Sequence, residues 1–306
     1  NMNPSIDKYV VYTSIDGQAY TQDAILSSTQ TTYKYSIATN NNNYNICFYV
    51  SAKSQDDSQS ASSNIICDSI SRPPQPQFAY IPYVTIIDNE AVEIALHNDI
   101  NVNVKGYKLE KSIDGGLNFT HLTTLGTQGT EKTTYIDYDV QVSEKSYTYK
   151  YSVIDACGLE SLTSNTSSTI LLNGKNLEEL YTTQLDWSQY NGWDEGVESY
   201  QIFRKSNSTT NAINLADLPK ELNTYIDNIE NEIITGNDQI TYYIQAVQAD
   251  GNIFGYKEQS VSNEVNIEQT PRIFIPNAFT PNGLNPTFKP SLVFVSSEGY
   301  QFTIYN

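Results

Sequence analysis

The sequence has no run of about 18 apolar residues, so no segment reads as a membrane-spanning helix. No basic-then-apolar stretch at Asn1 reads as a secretory leader. Histidine occurs only as His97 and His121, without the spacing of a metal-binding helix, and no Gly-rich phosphate loop opens a helical pattern. The adjacent acids Asp56 and Asp57, and Asp194 and Glu195, stand among turn formers rather than facing each other as a catalytic pair. The chain therefore reads as non-enzymatic, with no cofactor and no metal site. Basic residues number 17 against 35 acidic, a formal net charge of −18 that repels polyanions and excludes nucleic acid as a partner. The plain meaning of this charge is solubility, with a cation-binding or cell-wall role as the alternative.

What is abundant is tyrosine, at 24 residues, within a composition that is 39% hydrophobic. Tyrosine and threonine suit the half-buried face of a strand, so the composition leans to all-β. A length of 306 residues corresponds to two to four domains.

Internal similarity is the strongest signal. "DKYVVYTSIDG", "KGYKLEKSIDGG" and "ESYQIFRKSNS" are short alternating strands, the first two running into an Asp-Gly turn. Their tyrosines, Tyr9, Tyr107 and Tyr200, are 98 and 93 residues apart. "TTYKYS", "TTYIDYD" and "NTYIDNI" come next in the same order, and then "NICFYVSAKSQDD", "YTYKYSVIDACG" and "ITYYIQAVQADG". Alternation places Tyr149, Tyr151 and Val153 on one face, matching Tyr242, Ile244 and Ala246, and Phe48, Val50 and Ala52. Each copy closes on Ser-Asn: Ser63-Asn64, Ser164-Asn165 and Ser262-Asn263. Short strands punctuated by turns at this spacing predict β-sandwiches.

Three copies of the Tyr-x-Leu/Ile strand, the Tyr-x-Tyr/Ile-x-Val/Ala strand and the closing Ser-Asn resemble fibronectin type III repeats. The predicted fold is all-β: tandem fibronectin type III-like β-sandwiches plus an incomplete C-terminal β domain. The predicted boundaries are 1–72 for a partial sandwich, 73–173 and 174–269 for two further sandwiches, and 270–306 for the C-terminal segment. Only eight residues precede Tyr9, which predicts that the first sandwich lacks its opening strands. "SRPPQPQ" reads as a stiff connector to the second repeat, and "EQTP" separates the third repeat from the C-terminal segment.

The C-terminal segment, "IFIPNAFTPNG…TFKP…VFVSSEGYQFTIYN", resembles the start of the gliding motility-associated C-terminal domain of Bacteroidota surface proteins. The residues that carry the resemblance are Pro276, Asn277, Ala278, Phe279, Thr280, Pro281, Asn282 and Gly283. It implies export by a type IX secretion system, whose translocon or shuttle proteins are then the partners. The expected location is the cell surface or the medium, reached through the periplasm and outer membrane. "LNPT" stands where the family commonly has an Asp-rich stretch, which argues against a cation site in that loop. The residues themselves say that Pro276 and Pro281 bar a central paired strand and that Asn282-Gly283 suits a tight turn. A linker followed by a last hairpin is the plainer alternative.

Cys47 and Cys67 are equidistant from residue 57, in the polar turn "SQDDSQS". That puts them opposite each other across a ladder and predicts a cross-strand disulfide. Cys47 aligns with Thr148 and Thr241, positions expected to point away from the core. Cys157 has no evident partner. Trp187, Tyr190 and Trp193 crowd one stretch, "LDWSQYNGWDEG". They are candidates for stacking on sugar rings, or else Trp187 is core and the other two brace the loop after its strand. The function implied is that of an adhesin or spacer, with a cell-surface or polysaccharide ligand at the sandwich loops. The alternatives are accessory modules of an exported enzyme or toxin whose active domain lies upstream, or a carbohydrate-binding module.

Overall fold

A computed structural model of the chain describes residues 6–36, 43–71, 74–127, 129–177, 181–206, 211–235, 239–278, 280, 282–283, 287–295, 301 and 303. They fall into two compact units, Asn1–Gln75 and Pro76–Asn306. The fold is all-β with antiparallel sheets throughout, as the alternating patterns predict; one six-residue helix is the exception among the described residues.

Among its described residues the first unit is a single five-stranded sheet. Its strands are β1 (Lys8–Ile15), β2 (Thr21–Ser27), β3 (Asn43–Lys53), β4 (Ser60–Ser62) and β5 (Ile66–Ser71). The order is β2-β1-β3-β4, with β5 also on β3. Asp16 and Gly17 both have positive φ, 51° and 75°, the conformation that an Asp-Gly hairpin turn needs. Leu26, Val11 and Val50 lie in adjacent strands, and Phe48 and Val50 remain half-buried because the described residues include no second sheet above them.

The second unit holds two sandwiches. The first of these opens with β6 (Ala79–Tyr80), β7 (Val84–Ile87) and β8 (Ala91–Asn98). It continues with β9 (Val104–Ser112), β10 (Thr120–Gly126), β11 (Lys132–Asp137) and β12 (Thr148–Asp155), and closes with β13 (Glu160–Thr163) and β14 (Ser167–Ser168). One sheet runs β10-β9-β12-β13, with β14 also on β12; the other runs β11-β8-β6, with β7 also on β8. The third repeat builds the same pair of layers. Its strands are β15 (Leu172–Leu177), β16 (Thr182–Trp187), β17 (Val197–Ser206), β18 (Ile213–Pro219) and β19 (Thr224–Asn228). After helix α1 (Glu230–Thr235) come β20 (Gln239–Gln248), β21 (Gln259–Val261) and β22 (Val265–Glu268). Sheet β18-β17-β20-β21, with β22 on β20, faces sheet β15-β16-β19.

Each of these two repeats has its own core. Tyr149, Tyr151 and Val153 of β12 bury against Val84, Ile94 and Leu96, and Tyr242, Ile244 and Ala246 of β20 against Leu172 and Leu185. The period-two alternation of a strand is what puts all three residues of each set on the inner face. A last hairpin pairs β23 (Arg272–Phe274) with β24 (Ser291–Val293). Val293 and the adjoining Phe294 sink into the core cluster of the third repeat, whereas Ile273, Phe274 and Ile275 stay exposed.

Candidate functional site

Three arrangements inside the repeats set the geometry. The first is the closing Ser-Asn. Ser164 Oγ donates to the carbonyl of Asn165 (2.7 Å) and accepts from Tyr151 N (3.0 Å). Ser262 does the same with Asn263 O (2.7 Å) and Ile244 N (2.9 Å), and Ser63 with Asn64 O (2.8 Å) and Val50 N (3.0 Å). In the second and third repeats the asparagine side chains then reach across to the opening strand. Asn165 accepts from Ile81 N (2.7 Å) and donates to Ile81 O (3.2 Å). Asn263 accepts from Leu172 N (2.7 Å) and donates to Leu172 O (3.0 Å). A side-chain amide can satisfy one backbone donor and one backbone acceptor at once, which is why asparagine fits this place.

The second is a buried charged triad that ties the two layers together. Lys111 Nζ lies 3.0 Å from Asp137 Oδ2, which also accepts from the Tyr149 hydroxyl at 2.9 Å. In the third repeat Arg204 NH1 donates to Asp227 Oδ2 (2.7 Å), which also accepts from Tyr242 (2.8 Å), and Arg204 NH2 reaches Glu232 at 3.1 Å. Burial, and then the neighbouring aspartate charge, push both tyrosine hydroxyls well above their ordinary range. Burial alone would lower Arg204, but its bond to Asp227 and the charges of Asp227 and Glu232 raise it overall. The strand registers align Lys111 with Tyr149, Arg204 with Tyr242, and Thr13 with Phe48. By the repeat alignment the first unit therefore carries Thr13, Tyr35 and Phe48 instead of the triad. Tyr35 sets its ring edge-on to Phe48, 5.3 Å between centroids.

The third is the cysteine pair. Cys47 and Cys67 are directly opposite in the register of β3 and β5 and form a disulfide, as their spacing predicts. The same two positions in the later repeats hold hydrogen-bonded polar pairs, Thr148 with Ser168 (2.8 Å) and Thr241 with Asn266. Thr148 faces away from the core, as expected, and is nonetheless buried, because the loop at Gly116 lies over it. Cys157 is a free, exposed thiol in a turn whose backbone is fixed by Asp155 Oδ1 accepting from Cys157 N (2.9 Å).

The place where most of these features converge is the junction between the second and third repeats, inside one compact unit. Trp187, Tyr190 and Trp193 are only 3%, 5% and 6% exposed. Trp187 packs edge-on to Tyr200 in the core of the third repeat. Tyr190 and Trp193 lie 4.1 Å apart between centroids and reach back into the second repeat. Trp193 Nε1 donates to Pro82 O (2.6 Å), Val84 N donates to the Tyr190 hydroxyl (3.2 Å), and that hydroxyl shares a hydrogen with Ser167 (2.8 Å). With the three rings buried, none offers a platform to a sugar, so the stacking expectation gives way to a structural role. Gly192 has φ 152°, and a Cβ there would stand 2.3 Å from Ser167 Oγ, so only glycine lets the loop come this close. Asn165 also donates to Gly192 O at 2.6 Å.

The junction extends along β7 and β21. Ser260 Oγ donates to Val84 O (2.7 Å), Val261 N to Thr85 Oγ1 (2.9 Å), and Glu264 N to Asn89 Oδ1 (2.8 Å). Beside it Phe78, Tyr80 and His97 of the second repeat interlock with Phe254 and Tyr256 of the third, with centroid distances of 4.6 to 6.2 Å. Lys132 caps the cluster: it pairs with Glu258 at 2.8 Å and lies over the rings of Tyr83 and Tyr256. Burial and then the nearby Glu195 push the Tyr80 hydroxyl up to about 12. His97 is thus part of an aromatic packing site, with Nε2 on Glu131 at 3.0 Å. Among the described residues no group of three or more His, Cys, Asp or Glu is placed to hold a metal ion, and no helix is long and apolar enough to cross a membrane.

In the C-terminal segment, Thr280 O accepts from Gly283 N (3.0 Å), the tight turn expected at Asn282-Gly283. Of the eight motif residues Phe279 and Pro281 lie outside the described residues, as do Phe302 and Ile304 to Asn306 of the closing "FTIYN". Pro276, Asn277 and Ala278 come after the end of β23 without joining a strand.

No family model matches the chain, and no curated protein matches it. Among solved structures it is similar to the FN1–FN3 domains of chicken CNTN1, at 13% identity over 88% of this chain and 90% of that one, with a TM-score of 0.24. A superposition that loose carries no argument; the fold assignment rests on the strands and their registers.

Proposed function

We infer that this chain is a non-enzymatic, extracellular spacer whose second and third repeats act as one stiff segment. The observation that carries this reading is the junction, where buried Tyr190 and Trp193 hydrogen-bond to the backbone of the preceding repeat. Independent domains on a chain meet through small polar surfaces and move relative to each other; a buried, hydrogen-bonded aromatic contact opposes that motion. The Cys47–Cys67 disulfide supports passage through an oxidising compartment. The likeness of Pro276 to Gly283 to a sorting domain supports export by type IX secretion, with the translocon or its shuttle proteins as partners.

Stiffness is tested by spin labels at Glu144→Cys and Glu221→Cys in a Cys157→Ser background. One narrow distance distribution is expected in the native chain, broadened by Trp193→Ala; a broad distribution in the native chain contradicts the reading. Export is tested separately, by fusing residues 270–306, together with any sequence beyond them in the full protein, to a periplasmic reporter in a type IX secretion host. Surface delivery that survives scrambling of residues 276–283 contradicts the sorting role.

A further inference from the structure

Lys111 and Arg204 hold the same place in the second and third repeats, but the chain after their aspartates differs. After Asp227 it is capped and enters helix α1: Glu230 N donates to Asn228 Oδ1 (2.9 Å), and Glu232 turns back onto Arg204 at 3.1 Å. After Asp137 no helix forms, and Lys111 Nζ donates instead to Asp139 O (2.8 Å). An open groove of about 450 Å³ lies beside Lys111, within the size range of small-ligand sites. Its wall is firm: the Tyr147 hydroxyl accepts from Gln141 N (2.7 Å), and Lys111 Nζ stands 5.5 Å from the centre of the Tyr147 ring. The groove is built from the second repeat alone, so it does not depend on the junction with the third.

The side chains at the groove narrow the occupant. Tyr138, at the position where the third repeat has the capping Asn228, is 74% exposed, and Ile113 beside the groove is 64% exposed. Next to Tyr138 the Asp139 carboxylate and the Gln141 amide are also exposed. A tyrosine ring offers an apolar face, the carboxylate accepts, and the amide both donates and accepts. Lys111 is shared between Asp137 (3.0 Å) and Asp139 (3.8 Å), so no free cation awaits an acidic ligand. An extended peptide would look for a free strand edge, but Lys111 is paired on both sides, with Thr120 and with Tyr149. We propose that this groove binds a hexose unit of a neutral, β-linked glycan, stacked on Tyr138 and hydrogen-bonded to Asp139 and Gln141. A β-linked glucose chain is flat and turns its C–H groups to its faces, the shape that an exposed ring beside an open groove accepts. Its vicinal hydroxyls, each donor and acceptor, match the carboxylate and the amide.

The probe is cellohexaose, titrated into the intact chain and followed by calorimetry and by amide shifts of the nitrogen-15-labelled protein. The expected result is saturable binding, with the largest shifts at Ile113 and residues 138–141. Tyr138→Ala is expected to weaken it about tenfold, as the loss of one ring contact does. Tyr138→Phe keeps the ring and is expected to bind like the native chain. Tyr138 is largely exposed, so both variants keep the fold, which circular dichroism checks. Four outcomes overturn the proposal. One is no saturable binding of cellohexaose. Another is binding that Tyr138→Ala leaves unchanged, or shifts centred on another repeat, which would place the glycan elsewhere. A third is equal weakening by Tyr138→Phe and Tyr138→Ala, which would make the hydroxyl and not the ring the contact. The last is tighter binding of hexagalacturonate than of cellohexaose, which would make the site one for acidic glycans.

Discussion

The first repeat and the two after it share their strand registers, their Ser-Asn closure and their inner-face pattern, yet they are stabilised in opposite ways. In the later repeats a second sheet buries Tyr149, Tyr151, Tyr242 and Ile244, and a buried charged triad pins the layers. The first repeat has one sheet among its described residues, no triad, and a disulfide where the others have a polar pair. The difference teaches that one strand pattern specifies a sheet but not what covers it. Where a second layer is present, the inner face carries hydroxyl and charge, each with a partner. In the first repeat the same positions carry uncharged groups, with Thr13 buried and Tyr35 and Phe48 half-buried.

The comparison is broken most severely at the triad and the junction. Asp227→Ala leaves Arg204 partly uncompensated, and about 3–5 kcal/mol is expected to be lost from the second unit in denaturant unfolding. The combined replacement Arg204→Thr, Asp227→Ala, Tyr242→Phe is expected to cost less than the sum of its parts, because it removes the charges together. Trp193→Ala removes a buried ring and its bond to Pro82 O, for about 3–5 kcal/mol in the same transition. Reducing Cys47–Cys67 is expected to destabilise only the first unit, by roughly 3 kcal/mol for a closed loop of this size. Asn263→Ala orphans Leu172 N and O and is expected to cost about 2 kcal/mol, while Asn64→Ala stays within about 0.5 kcal/mol. The smallest effect is one of pH. Asp114 is held at about 2 by the backbone N–H of Asn118 and by the Ser112 hydroxyl, below the usual carboxylate value. Its contribution is present above about pH 4 and fades as pH falls towards 2. Carbon-detected NMR of the carboxyl should find its midpoint there.

Much of the fold was legible because strand alternation and turn chemistry act locally. The three inner-face sets, the Asp16-Gly17 turn and the Cys47–Cys67 pairing all derive from spacing along the chain. The triad was also written in the sequence, as aligned columns Thr13, Lys111, Arg204; Tyr35, Asp137, Asp227; and Phe48, Tyr149, Tyr242. Reading strands one at a time did not expose it, because its members sit on three different strands. The junction was not legible. Trp193 meets Pro82 across 111 residues, and no periodicity links a loop tryptophan to a distant backbone carbonyl. Its crowding with Tyr190 signalled a special place, and the sugar platform was the wrong special place because both rings are buried. Thr148 was placed on the correct side of its sheet, but strand alternation does not say whether a loop lies over it, and the Gly116 loop does.

The central claim is that the second and third repeats are two-layered and mutually braced, whereas the first, among its described residues, has a single sheet. Hydrogen–deuterium exchange on the intact, oxidised chain tests it most directly. The account predicts that peptides from β12 and β20 exchange slowly and lose protection together in Trp193→Ala, while β3 exchanges at least tenfold faster than either. Equal protection of β3, β12 and β20 in the unliganded chain would contradict it.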